Sequence, residues 1–314
     1  MLKALLLAAG LVLPPGPLAL AAEDPSSLAV EIHRVALTPP GQTRRMPLRI
    51  ALPVGDGPWP VVVFSHGANS SAELYAPVLD AWASGGLAVV APTHIDSESL
   101  ALGLTPADAG RMLSTRVEEV GWLLTDLESL ATTAGLSGRL DADRRAVAGH
   151  SLGVMIAAIV AGLPWRDFDT GELRHDGLPG LRALVSLHGV GRLPLLDDAG
   201  WQALQLPVFA VAGTADPGLT GDGVERPWHW RLGAYDLPRS ARGHALVIAD
   251  GDHYLGGLIG RPLPDTPPDR AGLATVNRLT TLFLRATLAA DPSAERMLDA
   301  LSLDHHSGFR LERR

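Results

Sequence analysis

The chain has 314 residues, a formal net charge of −8 and no cysteine. The lack of cysteine excludes disulfides, thiolate metal sites and a cysteine nucleophile, and an acidic balance without a basic stripe argues against nucleic-acid and anionic-membrane partners. Hydrophobic residues make up 46% of the chain, which is enough for the core of one large domain.

The N-terminus has the three parts of a secretory signal peptide. Lys3 supplies a positive charge, an apolar run follows at residues 4–12, and Ala19-Leu20-Ala21 is a small-residue cleavage site. The apolar run is too short to span a bilayer. We therefore predict a signal peptide at residues 1–21, cleavage near Ala21 and a secreted or periplasmic protein.

Apolar runs and their spacing predict a chain that alternates strands with helices. Predicted strands lie at residues 29–37, 47–52, 60–65, 87–91, 145–148, 182–187, 207–212 and 244–249. Predicted helices lie at residues 73–84, 107–133, 154–162 and 271–289. Loops are expected at 165–180 and 218–238, with a frayed polar tail after residue 304. This alternation predicts an α/β fold whose mostly parallel, eight-stranded sheet has helices on both faces.

A G-x-S-x-G motif at residues 149–153 stands between a predicted strand and a predicted helix. Glycines at both ends let the backbone turn sharply, which would hold Ser151 at the tip with its hydroxyl exposed. The following helix would point its positive end to where an oxyanion develops. We predict that Ser151 is a nucleophile; the alternative is a serine that only caps the helix.

Residues suited to support a serine nucleophile follow two later strands. Asp216 comes after the strand at 207–212, and His253 comes after the strand at 244–249. In parallel sheets the carboxyl ends of the strands are where ligands bind. A histidine can accept the serine proton, and a carboxylate fixes the histidine tautomer. We therefore predict a triad of Ser151, Asp216 and His253, whose activity should fall as His253 becomes protonated toward mildly acid pH.

Both partners of Ser151 have alternative interpretations. Asp216 precedes a proline and would suit a turn, and His253 could be a surface histidine. Other aspartates are rivals for the role of the acid: Asp222, Asp236, Asp250 and Asp252.

A tetrahedral intermediate also needs two backbone amides around its oxyanion. The predicted donors are the amide of Leu152, directly after the nucleophile, and the amide of Ala68, after the strand at 60–65. His66, His94 and His188 also follow strand ends and are expected around the pocket rather than in the chemistry.

Two groups of side chains have open roles. Three tryptophans in the loops could line an acyl pocket or cover the core: Trp165, Trp228 and Trp230. His305 and His306 could suggest a metal, but no supporting ligand spacing exists elsewhere, so we expect a solvated tail. No metal and no cofactor is predicted.

Taken together, these motifs resemble the α/β-hydrolase superfamily. The resemblance rests on V-V-V-F-S-H-G at 61–67, Y-A-P-V-L at 75–79, L-A-V-V-A-P at 87–92, G-H-S-L-G at 149–153, G-T-A-D at 213–216 and D-H at 252–253. More narrowly, they look like the branch of dienelactone-hydrolase-like proteins, platelet-activating-factor acetylhydrolases and cutinase-like polyester hydrolases. The resemblance implies one α/β-hydrolase domain over residues 22–314.

The resemblance implies an exported serine esterase that cleaves a small-molecule or lipid-like ester through an acyl-enzyme. The same triad would serve a thioesterase, a lactonase or a polyester hydrolase, although Ala68 stands where polyester hydrolases usually carry an aromatic residue. A non-catalytic binding module with this fold is the alternative from a different class. We expect a monomer that has no nucleic-acid partner and does not insert stably into a membrane.

Overall fold

The computed structural model describes residues 27–219, 223–239, 242–303 and 308–314. The predicted signal peptide, Asp222, His305 and His306 lie outside the described residues. Within those residues, no helix is long and apolar enough to cross a membrane.

A nine-stranded sheet runs through the described chain in the order β1-β2-β4-β3-β5-β8-β9-β12-β13. Its strands are β1 Val30–Leu37, β2 Met46–Pro53, β3 Trp59–Ser65, β4 Ala88–Pro92, β5 Leu140–His150, β8 Leu181–Leu187, β9 Val208–Gly213, β12 Gly243–Ile248 and β13 Phe309–Arg313. Two short hairpins stand outside this sheet and pair β6 Trp165–Arg166 with β7 Leu173–Arg174, and β10 Gly218–Leu219 with β11 Glu225–Arg226.

The central strands from β4 to β12 pair in parallel, whereas β1, β2 and β13 pair antiparallel at the two edges. Strands β3, β5, β9 and β12 therefore end at the same side of the sheet. The loops that follow them meet there, and they carry the candidate functional residues.

Helices cover both faces of the sheet. They are α1 Ala76–Ser84, α2 Ala109–Thr125, α3 Leu127–Thr133, α4 Leu152–Val160, α5 Asp198–Ala203, α6 Gly233–Asp236, α7 Arg270–Leu288 and α8 Pro292–Ala300. One buried cluster joins the sheet to α2, α3 and α4, and a second joins its other face to α1, α7 and α8. Because the central strands are apolar on both faces, each face needs such a layer.

The predicted fold class is confirmed, but the sheet has nine strands instead of eight. The additional strand, β13, lies in the tail that was expected to fray, and it pairs antiparallel with β12. Phe309 and Leu311 are each 9% exposed and pack on the core beside α7 and α8. These two residues alternate with Arg310 and Glu312, which is the two-residue period of a half-buried strand. The alternation is too short to predict a strand by itself.

Several other elements, among them α5, differ from the sequence-based expectation. The long helix expected at 107–133 is broken at Asp126, whose φ of −120° and ψ of 43° are not helical. Helix α8 was not expected, although Asp291 caps it through Ser293 and Ala294 and a proline opens it. The loops expected at 165–180 and 218–238 contain the two hairpins and α6.

Candidate active site

Ser151 lies on a sharp turn between β5 and α4. Its φ of 53° and ψ of −118° put a non-glycine residue in a strained conformation. It occupies the cap position of α4, but its side chain makes no capping hydrogen bond. The hydroxyl is therefore not used to stabilise the helix, and Ser151 lines a cavity instead.

Two glycines make this turn possible. A Cβ atom on Gly149 would lie 2.3 Å from the backbone of Gly153, and one on Gly153 would lie 1.9 Å from the carbonyl oxygen of Ser65. Neither position can hold any side chain without moving β3 or the start of α4. The spacing of the motif thus reflects the close packing of strand, turn and helix.

His253 and Asp216 meet above the ends of β12 and β9. The Nδ1 atom of His253 lies 2.8 Å from Oδ2 of Asp216, so Nδ1–H donates to the carboxylate. This hydrogen bond leaves Nε2 as the proton acceptor of the ring. His253 also lines the same cavity as Ser151. The structure therefore brings all three predicted triad residues to one place.

The Asp216 carboxylate accepts from two further residues. His188 Nδ1 donates to Oδ2 at 2.8 Å, and Arg231 Nη2 lies 3.0 Å from Oδ1. Burial by itself would raise the pKa of Asp216, but the hydrogen bonds from His188 and His253 outweigh burial and leave the pKa below its usual value. The carboxylate is thus held ionised and in a fixed orientation.

None of the described rival aspartates forms a side-chain hydrogen bond with His253. Asp250 and Asp236 are exposed. Asp252 accepts hydrogen bonds from the backbone N–H groups of Tyr254 and Gly256, and so caps its own loop.

The cavity in front of Ser151 has a volume of about 170 Å³. We call it the site cavity. On one side it is lined by the loop after β3, with Gly67, Ala68 and Asn69, and on the other by the loop of His253 and Tyr254.

One predicted oxyanion donor lines this cavity, and the other directly follows Ser151 in the chain. Ala68 is exposed and lines the site cavity, and Leu152 begins α4 directly after Ser151. Among the described residues, no acceptor is recorded for the amide of either residue. Both are backbone N–H groups next to the serine, and a developing anion would require donors there.

His150 connects the two sides of the site cavity through a directed series of hydrogen bonds. Gly67 N–H donates to the Tyr75 hydroxyl at 3.1 Å, the hydroxyl donates to His150 Nδ1 at 2.9 Å, and His150 Nε2–H donates to the carbonyl of His253 at 2.8 Å. The loop after β3 and the loop of His253 are thus tied together beneath Ser151. Burial lowers the pKa of His150 well below its ordinary value, so the ring is neutral and can accept at Nδ1.

A buried ion pair holds the loop after β3 from behind. Arg116 in α2 donates to both oxygens of Asp96 at 2.7 Å and to the carbonyls of His66 and Gly67. Asp96 in turn accepts from the backbone N–H of Asn69 at 2.9 Å. Since Ala68 lies between these anchors, the pair fixes the direction of its amide.

A second Ser–His–carboxylate series lies below this loop. Ser65 Oγ is 2.9 Å from His94 Nε2, and His94 Nδ1 is 2.7 Å from Glu119 Oε2. All three side chains are 0% exposed, so no substrate reaches Ser65. We interpret this series as support for the end of β3. His66, next to it, accepts at Nε2 from the backbone N–H of His94.

One group of side chains has the spacing of a metal site. His188, Asp216 and His253 offer ligand atoms within 4.8 Å of one another, and no other such group exists in the part of the chain that the structure describes. The same atoms are already joined by hydrogen bonds, and the Arg231 guanidinium on the same carboxylate opposes a cation. The arrangement is therefore better suited to proton transfer than to metal binding.

The loop tryptophans do not border the described site cavity. Trp165 is fully buried and donates from Nε1 to Asp176 at 2.7 Å, whereas Trp230 donates to the carbonyl of Arg192. Trp228 borders a separate cavity near β13.

Four residues that organise the site were not predicted to do so from the sequence: Tyr75, Asp96, Arg116 and Arg231. The sequence offered one signal, which was the position of Arg116 within an amphipathic helix. An arginine that becomes buried in such a helix rarely lacks a partner. His150 occupies the variable position of the serine motif, and nothing in the sequence indicates its partners.

Comparison with known proteins gives two partial matches. A model of the chlorophyllase family matches residues 23–167. The esterase YjfP of Escherichia coli (strain K12) is 34% identical over 114 residues, which are 36% of this chain and 44% of that protein. The matched region thus spans less than half of this curated relative.

These matches agree with the fold and with its chemistry at a coarse level. They support an α/β-hydrolase fold and a carboxylic ester hydrolase, without singling out the branch that the motifs resemble. The matched residues 23–167 include Ser151 and Ala68 but neither Asp216 nor His253. The family match therefore says nothing about Asp216 and His253, whose assignment rests on the geometry.

Proposed function

We propose that this protein is an exported serine hydrolase that cleaves carboxylic esters through Ser151, His253 and Asp216. The observation that carries the proposal is the 2.8 Å hydrogen bond from His253 to Asp216 at the cavity where Ser151 occupies a strained turn. The chlorophyllase-family match and the similarity to an esterase support the choice of an ester.

In the first half-reaction, His253 Nε2 accepts the proton of the Ser151 hydroxyl while the oxygen attacks the ester carbonyl. The carbonyl oxygen becomes an oxyanion between the N–H groups of Ala68 and Leu152. One such donor typically contributes about 3–4 kcal/mol to the transition state. Collapse of the intermediate breaks the bond to the alcohol oxygen, which takes the proton from His253.

In the second half-reaction, water attacks the acyl-enzyme. His253 accepts a proton from the water and then returns it to Ser151 Oγ, which releases the carboxylic acid. Asp216 stays ionised throughout and stabilises the imidazolium that forms twice in each cycle. Thioesters and lactones would follow the same steps. The values of kcat/KM measured on a panel of esters, thioesters and lactones would therefore show which of these substrate classes the protein prefers.

A fluorophosphonate probe tests the nucleophile. We expect the purified protein to be labelled on the peptide that contains Ser151, and Ser151→Ala to lose both the label and p-nitrophenyl acetate hydrolysis. Ser65→Ala is the matched control, since Ser65 also faces a histidine and a carboxylate but is fully buried. Equal labelling of Ser151→Ala would place the nucleophile at another residue and make the assignment wrong. Absence of any label on a folded protein would favour a binding module.

Export is part of the proposal and rests on the pattern at residues 1–21. N-terminal sequencing of the protein recovered from the producing cells should begin at Ala22. A mature chain that retains Met1 would contradict it.

A further inference from the structure

A second and larger cavity adjoins the site cavity. Its volume is about 490 Å³, against about 170 Å³ for the site cavity. Small-molecule sites usually measure roughly 300–1,000 Å³, so the site cavity alone is small for a substrate, whereas the larger cavity is within that range. Asn69 and Glu98 line both cavities, so the two cavities adjoin at these residues.

The wall of the larger cavity is mainly apolar. It includes four partly exposed aliphatic side chains from the segment after β4 and from α2: Ile95, Leu102, Leu104 and Met112. Leu102 is 49% exposed, so its side chain is available to contact an apolar group bound in the cavity. Each methylene of a substrate that is buried against this wall would therefore increase the affinity of the protein for that substrate.

The charge at the junction is negative. Glu98 is exposed there, and its backbone N–H donates to the Asn69 carbonyl at 3.0 Å, which joins the two residues that line both cavities. The other carboxylate in the wall, Asp96, is already paired with Arg116. A substrate group that ends in a carboxylate and enters the larger cavity would thus pass the negative charge of Glu98, whereas an uncharged group would not be repelled there.

The position of His253 decides which half of the ester can reach this cavity. The alcohol oxygen must face His253 to receive its proton, and Tyr254, Arg261 and Pro262 line that side of the site cavity. The larger cavity shares lining residues with the oxyanion side, at Asn69, and none with the loop of His253. The acyl group therefore points toward it.

Given the ester hydrolysis proposed above, we propose that the larger cavity is the acyl subsite and that the substrates are esters of uncharged, medium-length apolar acids. Glu98 at the junction selects against acyl groups with a terminal carboxylate, and the four aliphatic side chains bind the chain.

The test is kcat/KM for p-nitrophenyl esters from acetate to dodecanoate. In the wild type we expect kcat/KM to rise by up to about fourfold per methylene until the cavity is filled. Leu102→Asp and Met112→Trp should each reduce the octanoate value by about tenfold and leave the acetate value within about twofold. Val54→Asp is the matched control, because Val54 is exposed and follows the end of β2 on the opposite side of the sheet.

Glu98→Gln tests the charge. It should raise the ratio of kcat/KM for the p-nitrophenyl monoester of a dicarboxylic acid to that for the octanoate by about fivefold or more, with a gain that shrinks in high salt.

The outcomes separate the two proposals. If acetate hydrolysis needs Ser151 but the chain-length profile of Leu102→Asp and Met112→Trp matches that of the wild type, the acyl subsite is wrong and the ester hydrolase stands. If the variants instead alter the preference among alkyl acetates, the cavity holds the alcohol and the acyl assignment is overturned. Loss of the Ser151 requirement would overturn the proposed function itself.

Discussion

At the scale of single residues, burial sets the properties of the proposed base. The His253 side chain is 16% exposed, and burial lowers its pKa to about 4, against the opposing effect of the Asp216 hydrogen bond. A histidine with this pKa is neutral at physiological pH and able to accept the serine proton. The acid limb of activity should therefore lie below the mildly acid range that an ordinary histidine would give.

We expect kcat/KM for p-nitrophenyl acetate to be flat from about pH 8 to about pH 5 and to fall to half near pH 4, because only neutral His253 accepts a proton. A pH–rate profile, with recovery of activity after return to neutral pH, measures this. A half-loss of activity near the ordinary histidine pKa of 6.5 would show that burial does not control the base.

A second prediction concerns Asp216. The Asp216→Asn variant should lower kcat by about four orders of magnitude, because the asparagine would hold His253 in the wrong tautomer.

At the scale of elements, the loop after β3 depends on α2. Arg116 contributes donors to two loop carbonyls, and Asp96 accepts the Asn69 amide. Burial by itself would raise the pKa of Asp96, but the adjacent Arg116 outweighs burial and lowers it, so the pair stays ionised. The positions of the proposed oxyanion donor and of the proposed acyl subsite therefore depend on one buried ion pair.

Arg116→Met should lower the free energy of unfolding by about 3–5 kcal/mol, since it leaves a buried carboxylate without its partner. The double variant Arg116→Met with Asp96→Leu should recover most of that stability, because no buried charge remains. It should still lose about tenfold to a hundredfold in kcat, since the Ala68 amide is no longer oriented. Urea unfolding and steady-state kinetics on the same samples measure both.

A double variant that regained both stability and kcat would mean that the pair is structural only. Arg111→Met on the same helix is the control: Arg111 is exposed and pairs with Asp108 at the surface, where such pairs contribute little.

At the scale of the whole molecule, neutral histidines are packed into the interior. His66, His94 and His150 are each 0% exposed, and burial lowers the pKa of each well below 6.5. Below that pH the unfolded chain binds protons that the folded chain does not, so stability must fall with falling pH. Glu119 acts in the opposite direction, because burial raises its pKa to about 7, but it is one group against several.

The free energy of unfolding should therefore decrease from about pH 7 to about pH 5, by up to about 1.4 kcal/mol per pH unit for each such histidine. His244, remote from the site at the start of β12, provides the test, because burial lowers its pKa to about 4. His244→Phe should keep the stacking on Phe209 and reduce the slope by about 1.4 kcal/mol per pH unit. A His244→Phe variant with the wild-type slope would contradict this account of the pH dependence.

Much of the fold could be predicted because its signals are local. The continuous apolar runs that became β3, β4, β8 and β9 need burial on both faces wherever they lie. The ninth strand was missed since five residues with two apolar positions form a strand only when β12 offers an open edge. The break in the helix at Asp126 could not be predicted either, because no proline or glycine stands at that position.

The sequence by itself determined that Ser151 stands on a tight turn and that Asp216 and His253 follow strand ends, because turn chemistry and strand order are properties of neighbouring residues. The tertiary structure decided which carboxylate contacts His253, that His150 joins two loops, and that Ser65 is buried while Ser151 borders a cavity. Those facts depend on contacts between residues 28 to 103 positions apart, such as those of His188 with Asp216 and His150 with His253. No local pattern encodes such contacts, since the sheet brings these residues together only once all its strands have paired.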